Sequence, residues 1–531
     1  MRSIPMKMTK ISLAALAMMA MAHAKPLVFC SEASPEGFDG GMYTAAATHD
    51  ASSEAIYNRL VEFEKGGTKV LPALAEKWEI SKDALEYTFY LRKGVKFHST
   101  EWFKPSREFN ADDVLWTFQR MIDDKHPGAK ASLQGWPYAS DMGFPTLIKK
   151  IEKLDNYRVK FVLAQPEAPF LADLGMGFAD IVSAEYAQKL RAEGKDSQIG
   201  TLPIGTGPYV FKRYDKGAQI RYDANPVYWR GKPGSDKLIF AITEDASVRP
   251  QKLKRGECNI MVYPKPADIA QIKADPNLVV ESNRALTVAY LALNTQHKNM
   301  ADKRVRQALG LALDKNAIVK AVYDGSAVPS HLPLPSAMWG YNKSIPAPKT
   351  DIEKAKKLLK EAGFPTGFEM SLFVRNAGGG TNPNPKLTAE MIQSDWAKIG
   401  VRAKIVVMEW VELQKRTKAG EHDATIYGWA GDNGDPDNFL TPNLTCASAQ
   451  SGENRSRWCN KEFDKLVDQA KRVTDLAQRT KLYEAAQKVF IDEMPWVSLV
   501  EPMTTIARQK NVVGYKSSPF TNNNFENVSV K

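Results

Sequence analysis

The sequence predicts a mixed α/β fold, and three observations carry that expectation. Strand-like and helix-like segments alternate along nearly the whole chain. One stretch, 368–407, reads as strand, helix, strand, the β-α-β unit whose crossover is expected to be right-handed. The chain has 531 residues, 43% hydrophobic and 25% charged, so it is a globular chain too long for one core, and two or three domains are expected.

In order, 51–63 reads as a helix capped by Asp50 or Ser52. Glu86–Phe97 (EYTFYLRKGVKF) is strand-like, with its aromatic residues interrupted by an Arg-Lys-Gly turn. Asn110–Met121 has an Asn cap and two acids in its first turn, which suits the helix dipole. A strand at 157–164 precedes a loop into a short helix, and Gly205-Thr206-Gly207-Pro208 reads as a turn leading to segments 209–214 and 219–222. Val305, Ala308, Leu309, Ala312 and Leu313 form one helical face. Helices are also expected at 351–362, along the Phe463 to Val473 stripe and along the Leu482 to Phe490 stripe.

Within 368–440, the helix 386–399 is expected to turn Leu387, Met391, Trp396 and Ile399 inward. A short helix from Trp410 to Ala419 follows, and then a strand, 423–427, that delivers the loop GWAGDNGDPDNF. Ligands of open α/β sheets bind outside the carboxyl ends of strands. That points to two loops: the Gly-rich one after Arg375 and the Asp-rich one after Tyr427.

Charge and targeting are read together. There are 72 Lys and Arg against 61 Asp and Glu, a net charge of +11. Three of the cations, Arg2, Lys7 and Lys10, open an N-terminal block with no acid, an apolar run from Ile11 and a closing Ala22-His23-Ala24. This is the order of an export signal, with cleavage expected after Ala24 and the periplasm as destination. The apolar run is too short to span a bilayer, which takes about 20 residues. Phe29 before Cys30 argues against a lipid-attachment site. The remaining surplus is dispersed among acids without an Arg/aromatic cluster, so nucleic acid is not an expected partner.

All four cysteines, Cys30, Cys258, Cys446 and Cys459, follow the signal. Four cysteines allow three pairings. The short polar loop between Cys446 and Cys459 favours that pair, which chain-entropy arguments value at about 3 kcal/mol; Cys30 and Cys258 are then left for each other. Free thiols are the alternative. No GxSxG, HExxH or GxxxxGK[ST] pattern occurs, no two histidines of the exported part have metal-ligand spacing, and no enzyme activity, cofactor or metal is expected. The Asp432–Asp437 run has Asp437 and Asn443 where a calcium loop needs Gly and Glu.

Several segments converge on a family. LAEKWEISKDALEYTFYLRKGVKFH (74–98), NADDVLWTF, IGTGPYVFKRYDKGAQIRYDANPVYW (204–229) and GWAGDNGDPDNF resemble the peptide-binding family of extracytoplasmic solute-binding proteins that serve ABC importers. The resemblance implies two lobes joined by two hinge crossings, an additional subdomain in the first lobe, and ligand trapped by closure. Lobe I would comprise 25–281 and the tail 504–531, lobe II 282–503, with crossings near 282–288 and 499–505. It also implies the disulfides Cys30–Cys258 and Cys446–Cys459.

The resemblance implies short peptides as ligands, di- or tripeptides foremost, and ABC permease subunits as partners. A monomer is expected, and presentation to a chemoreceptor is left open. The anion for the ligand's ammonium would be Asp432, directly after Gly431. Thr44 would line the same end of the site, Trp410 would wall a side-chain pocket, and Tyr138 is a further pocket candidate. The family's pattern places an Arg for the ligand carboxylate three residues before Asn-Pro-Asn, and here that position is Gly379. Arg375, or an anion nest of backbone N–H groups at Gly378–Gly380, would have to replace it. The gap leaves longer peptides, glutathione-like peptides or haem open as ligands.

Overall fold

The computed structural model describes residues 25–132, 135–376, 378–520 and 522–531; the export-signal reading falls outside these. Among the described residues the dominant element is a twelve-stranded mixed sheet. Its spine is the long strand Trp496–Gln509. The first part of this strand pairs with Thr287–Leu293 and its last part with Leu278–Arg284, both antiparallel. Arg284 pairs with Met503 and Ala289 with Val500, so the segment between the two partner strands lies beside 500–503.

The hydrophobic cores divide at the same place. One core draws on residues from Leu27 to Val262 and again from Ile506 to Val528. Two adjoining cores draw on residues from Leu286 to Val500. Buried apolar area is the main source of cohesion, and here it is gathered into separate clusters rather than one.

The first half carries a separate four-stranded antiparallel sheet, in the order Ala75–Ile80, Glu86–Leu91, Arg158–Leu163, Ile148–Asp155. The expected helix Asn110–Met121 runs from Ala111 to Ile122, and Asn110 and Asp113 form a reciprocal capping box. The β-α-β unit is present: Glu369–Arg375 lies parallel to Arg402–Met408, with the helix Pro385–Ala397 between them. Ala424–Ala430 is parallel to Glu369–Arg375 on its other side. Cys30 is bonded to Cys258 and Cys446 to Cys459.

Two readings need correction. The helix expected at 51–63 runs instead from Ala46 to Ala51. The carbonyls that would continue it are taken by remote segments: Ala55 accepts from Tyr209 N–H, Ile56 from Gly207 N–H and Asn58 from Ile181 N–H. Local periodicity lost to tertiary pairing. Likewise the strand from Glu86 ends at Leu91; beyond it Val95 and Phe97 are buried without a ladder. The expected inward face of the helix Pro385–Ala397 is present: Trp396 and the following Ile399 are buried, and Leu387 and Met391 pack half-buried against the same core.

Candidate functional site

Both loops singled out from the sequence leave the carboxyl ends of neighbouring parallel strands. The strand Ala424–Ala430 ends where the chain meets the first crossing. Gly431 N–H donates to the Leu286 carbonyl at 2.6 Å. A Cβ at Gly431 would lie 2.6 Å from the Phe439 ring and 3.3 Å from Leu286 Cβ, so only glycine allows this approach. Asp432 follows, fixed from its own lobe by Asn438. The Asn438 Oδ1 accepts from Asp432 N–H at 3.0 Å and from Trp429 Nε1 at 3.2 Å.

From the opposite lobe, Tyr138 donates its hydroxyl to Asp432 Oδ1 at 3.0 Å. Tyr138 sits on the short helix Pro137–Asp141, started by a proline at its first turn. The preceding Trp136 lies over the Arg120 guanidinium at 4.6 Å, and Arg120 is locked bidentately onto buried Asp39 at 2.6 and 2.9 Å. This buried pair makes the presentation of Tyr138 rigid.

No Lys or Arg among the described residues forms an ion pair with Asp432. Burial pushes its carboxyl up to about 6, against the lowering effect of the Tyr138 and Asn438 hydrogen bonds, with Asp141 adding a like charge. Burial and the neighbouring Asp432 together raise Tyr138 well above the usual phenol range. The carboxylate is held in place, desolvated and short of a cation, so a positively charged group entering the cleft gains strongly there.

The second loop is different in kind. Arg375 ends its strand and its guanidinium lies over the Trp410 ring at 4.9 Å; Trp410 in turn packs on Tyr427 at 5.4 Å. The Arg375 Nε is buried without a hydrogen-bond partner, and no ion pair to Arg375 is formed among the described residues. A Cβ at Gly379 would lie 2.6 Å from Arg375 Nη1. The glycine thus leaves space that the arginine fills. The Gly379 N–H is spent on the Asn382 carbonyl at 2.8 Å, which removes it from the nest read from the sequence.

The structure therefore brings Asp432, Gly431 and Tyr138 together, and separately Arg375, Gly379 and Trp410. Thr44 is exposed just before the helix Ala46–Ala51. No hydrogen bond joins it to the other candidates among the described residues, although His49 of that helix approaches Tyr138, with ring centroids 6.0 Å apart. Sequence reasoning missed Asn438, which lies inside the quoted GWAGDNGDPDNF motif and whose side chain serves both Trp429 and Asp432. It also missed Asp173, which accepts from Asn433 Nδ2 at 2.7 Å across the lobes. Only the fold brings those two near.

Separate hydrophobic cores in the two parts of the chain, and an Asp432 carboxylate where they meet with no cation paired to it among the described residues, fit a two-lobed solute-binding protein. Residues 69–451 match the middle region of the bacterial extracellular solute-binding proteins, family 5, and the chain belongs to that family. It is 53% identical over 511 residues to di/tripeptide-binding protein 4 of Pseudomonas aeruginosa, covering 96% of each chain. Its fold is similar to that of HbpA2 from Haemophilus parasuis, with a TM-score of 0.89 and 44% identity over 96% of this chain and 100% of that one. It is also similar to a dipeptide-binding protein from a Pseudoalteromonas species in complex with Met-Leu, with a TM-score of 0.84 and 36% identity over 96% and 100%.

Proposed function

We propose that this chain captures short peptides, di- and tripeptides foremost, between its lobes and delivers them in the periplasm to the permease of an ABC-type importer. It acts as a monomer without catalysis, after removal of residues 1–24. Lobe I comprises 25–281 and 504–531, and lobe II 282–503. The observation that carries this reading is the Asp432 carboxylate, half-buried at the lobe seam, hydrogen-bonded by Tyr138 from the facing lobe and lacking a cation among the described residues. A free peptide supplies that cation as its ammonium whatever its side chains are.

Arg375 supports the other half of the reading. Its Nε is buried without a partner, its guanidinium lies over the Trp410 ring, and a bidentate acceptor such as a carboxylate suits it. Thr44 is assigned to the ammonium end of the site and Trp410 to the wall of the side-chain pocket. Glutathione or haem on the same scaffold is the competing reading, because Gly379 offers no side chain to close that end.

The deciding experiment measures thermal shifts with di-, tri- and tetrapeptides, N-acetyl dipeptide, glutathione and haem. Free dipeptide at 100 times its Kd is expected to add about 2.7 kcal/mol, and the N-acetyl form to add far less. Equal shifts for the two forms, or a response to haem alone, would overturn the reading.

A further inference from the structure

Beyond the Asp432 loop, the two lobes meet again at a group of charged residues. The segment before the helix Phe170–Asp173 belongs to the first lobe's core and the helix Lys461–Arg472 to the second's. Ala168 N–H donates to the Lys471 carbonyl at 2.7 Å. The Lys471 ammonium lies 3.1 Å from Glu167 of the first lobe and 3.6 Å from Asp437 of its own. Asp437 opens the helix Asp437–Leu444 directly after the Asp432 loop. On the same loop, Asn433 reaches Asp173.

The arithmetic of charge is uneven. Glu167, Asp173, Asp435 and Asp437 gather within this seam. Arg479 neutralises Asp435 at 2.8 Å, which leaves Lys471 as the ion-pair partner of both Glu167 and Asp437 among the described residues. Glu167 and Asp173 are almost fully buried, so water screens them poorly. Without the lysine, Glu167 and Asp437 oppose each other across the seam, and like charges in a poorly screened site repel.

We infer that Lys471 bolts an interlobe latch, apart from the ligand-contacting groups, that sets how long the closed lobes retain their ligand. The latch serves the peptide site proposed above. It acts through the closed state, so it changes the rate of release more than the rate of capture. Lys471 is a positioning residue: it spans the seam and fixes the helix that follows the Asp432 loop.

The test is stopped-flow binding of the dipeptide Ala-Phe to wild type, Lys471→Met, Glu167→Gln and the double variant at neutral pH. Lys471→Met is expected to speed dissociation about tenfold, with association within about twofold and the ligand-free melting temperature within about 2 °C. Glu167→Gln is expected to speed dissociation by about two- to threefold, and the double variant no more than Lys471→Met alone, because the two side chains form one contact. Unchanged dissociation in Lys471→Met would overturn the latch, as would a fall in ligand-free melting temperature accompanied by additive effects. Should wild type fail to bind Ala-Phe, the peptide reading fails, and small-angle scattering decides the latch. A ligand-free Lys471→Met protein more expanded than wild type supports it, and identical profiles refute it.

Discussion

The loops after Arg375 and after Ala430 leave adjacent parallel strands, yet they hold their charges by opposite means. Asp432 is fixed from several directions: by Asn438 on its own lobe, by Tyr138 from the facing lobe, and through Gly431 by the hinge residue Leu286. Arg375 has no hydrogen bond or ion pair to its guanidinium among the described residues and rests on the flat face of Trp410. The first is a preorganised anion whose hydrogen bonds offset only part of its desolvation. The second is a cation that lies on an aromatic surface and fills the space Gly379 leaves. The ammonium of a peptide is invariant in position, whereas its carboxylate moves with peptide length. One rigid anchor and one adjustable anchor fit that difference.

The contrast can be broken experimentally. Asp432→Asn keeps the shape of the rigid anchor and removes its charge. Dipeptide affinity measured by calorimetry is expected to fall by about 3 kcal/mol, on the order of 100-fold, because a desolvated ammonium is left unpaired. Arg375→Met keeps the packing on Trp410 without the charge, and an affinity loss of roughly 20-fold is expected for free dipeptide. A C-terminally amidated dipeptide should bind both proteins alike.

A third prediction concerns pH. With the lobes closed and no ligand bound, burial pushes Asp432 up to about 6, above the ordinary carboxyl value, and an ammonium partner lowers it. The free protein therefore binds more protons than the complex, and affinity is lost as pH falls through 6. Between pH 7 and pH 5 the loss should be about tenfold, while the ligand's amino group stays charged. Burial also pushes Glu167 up to about 7, so it titrates in an overlapping window. The Glu167→Gln protein, which lacks this second titrating group, should keep the loss due to Asp432, and a flat profile there would remove Asp432 from the site. The smallest effect is expected of Gly379→Ala. Its Cβ would meet the far end of the flexible Arg375 side chain, so a few-fold loss of affinity with unchanged melting temperature is the expected result.

Much of the fold was legible in the residues. The Asn110 cap, the β-α-β unit at 369–408 and the short loop closed by Cys446 and Cys459 all rest on local chemistry, which the chain carries wherever it goes. The segment 51–63 was misread because its helical periodicity is genuine while its carbonyls are claimed by Gly207, Tyr209 and Ile181, partners up to some 150 residues away. No local pattern reports a remote competitor for a hydrogen bond.

The site divides along the same line. That a carboxylate follows Gly-Trp-Ala-Gly, and that an arginine is absent from position 379, are statements the sequence alone determines. Only the tertiary structure decided that Tyr138, 294 residues away, completes the Asp432 anchor, that the Arg375 guanidinium fills the space Gly379 leaves, and that Lys471 and Glu167 meet across the seam. Residue identity sets which charges exist, and local pattern sets which strand end each one occupies. Desolvation and partnership depend on what the facing lobe brings, and that is known only once the two cores have packed.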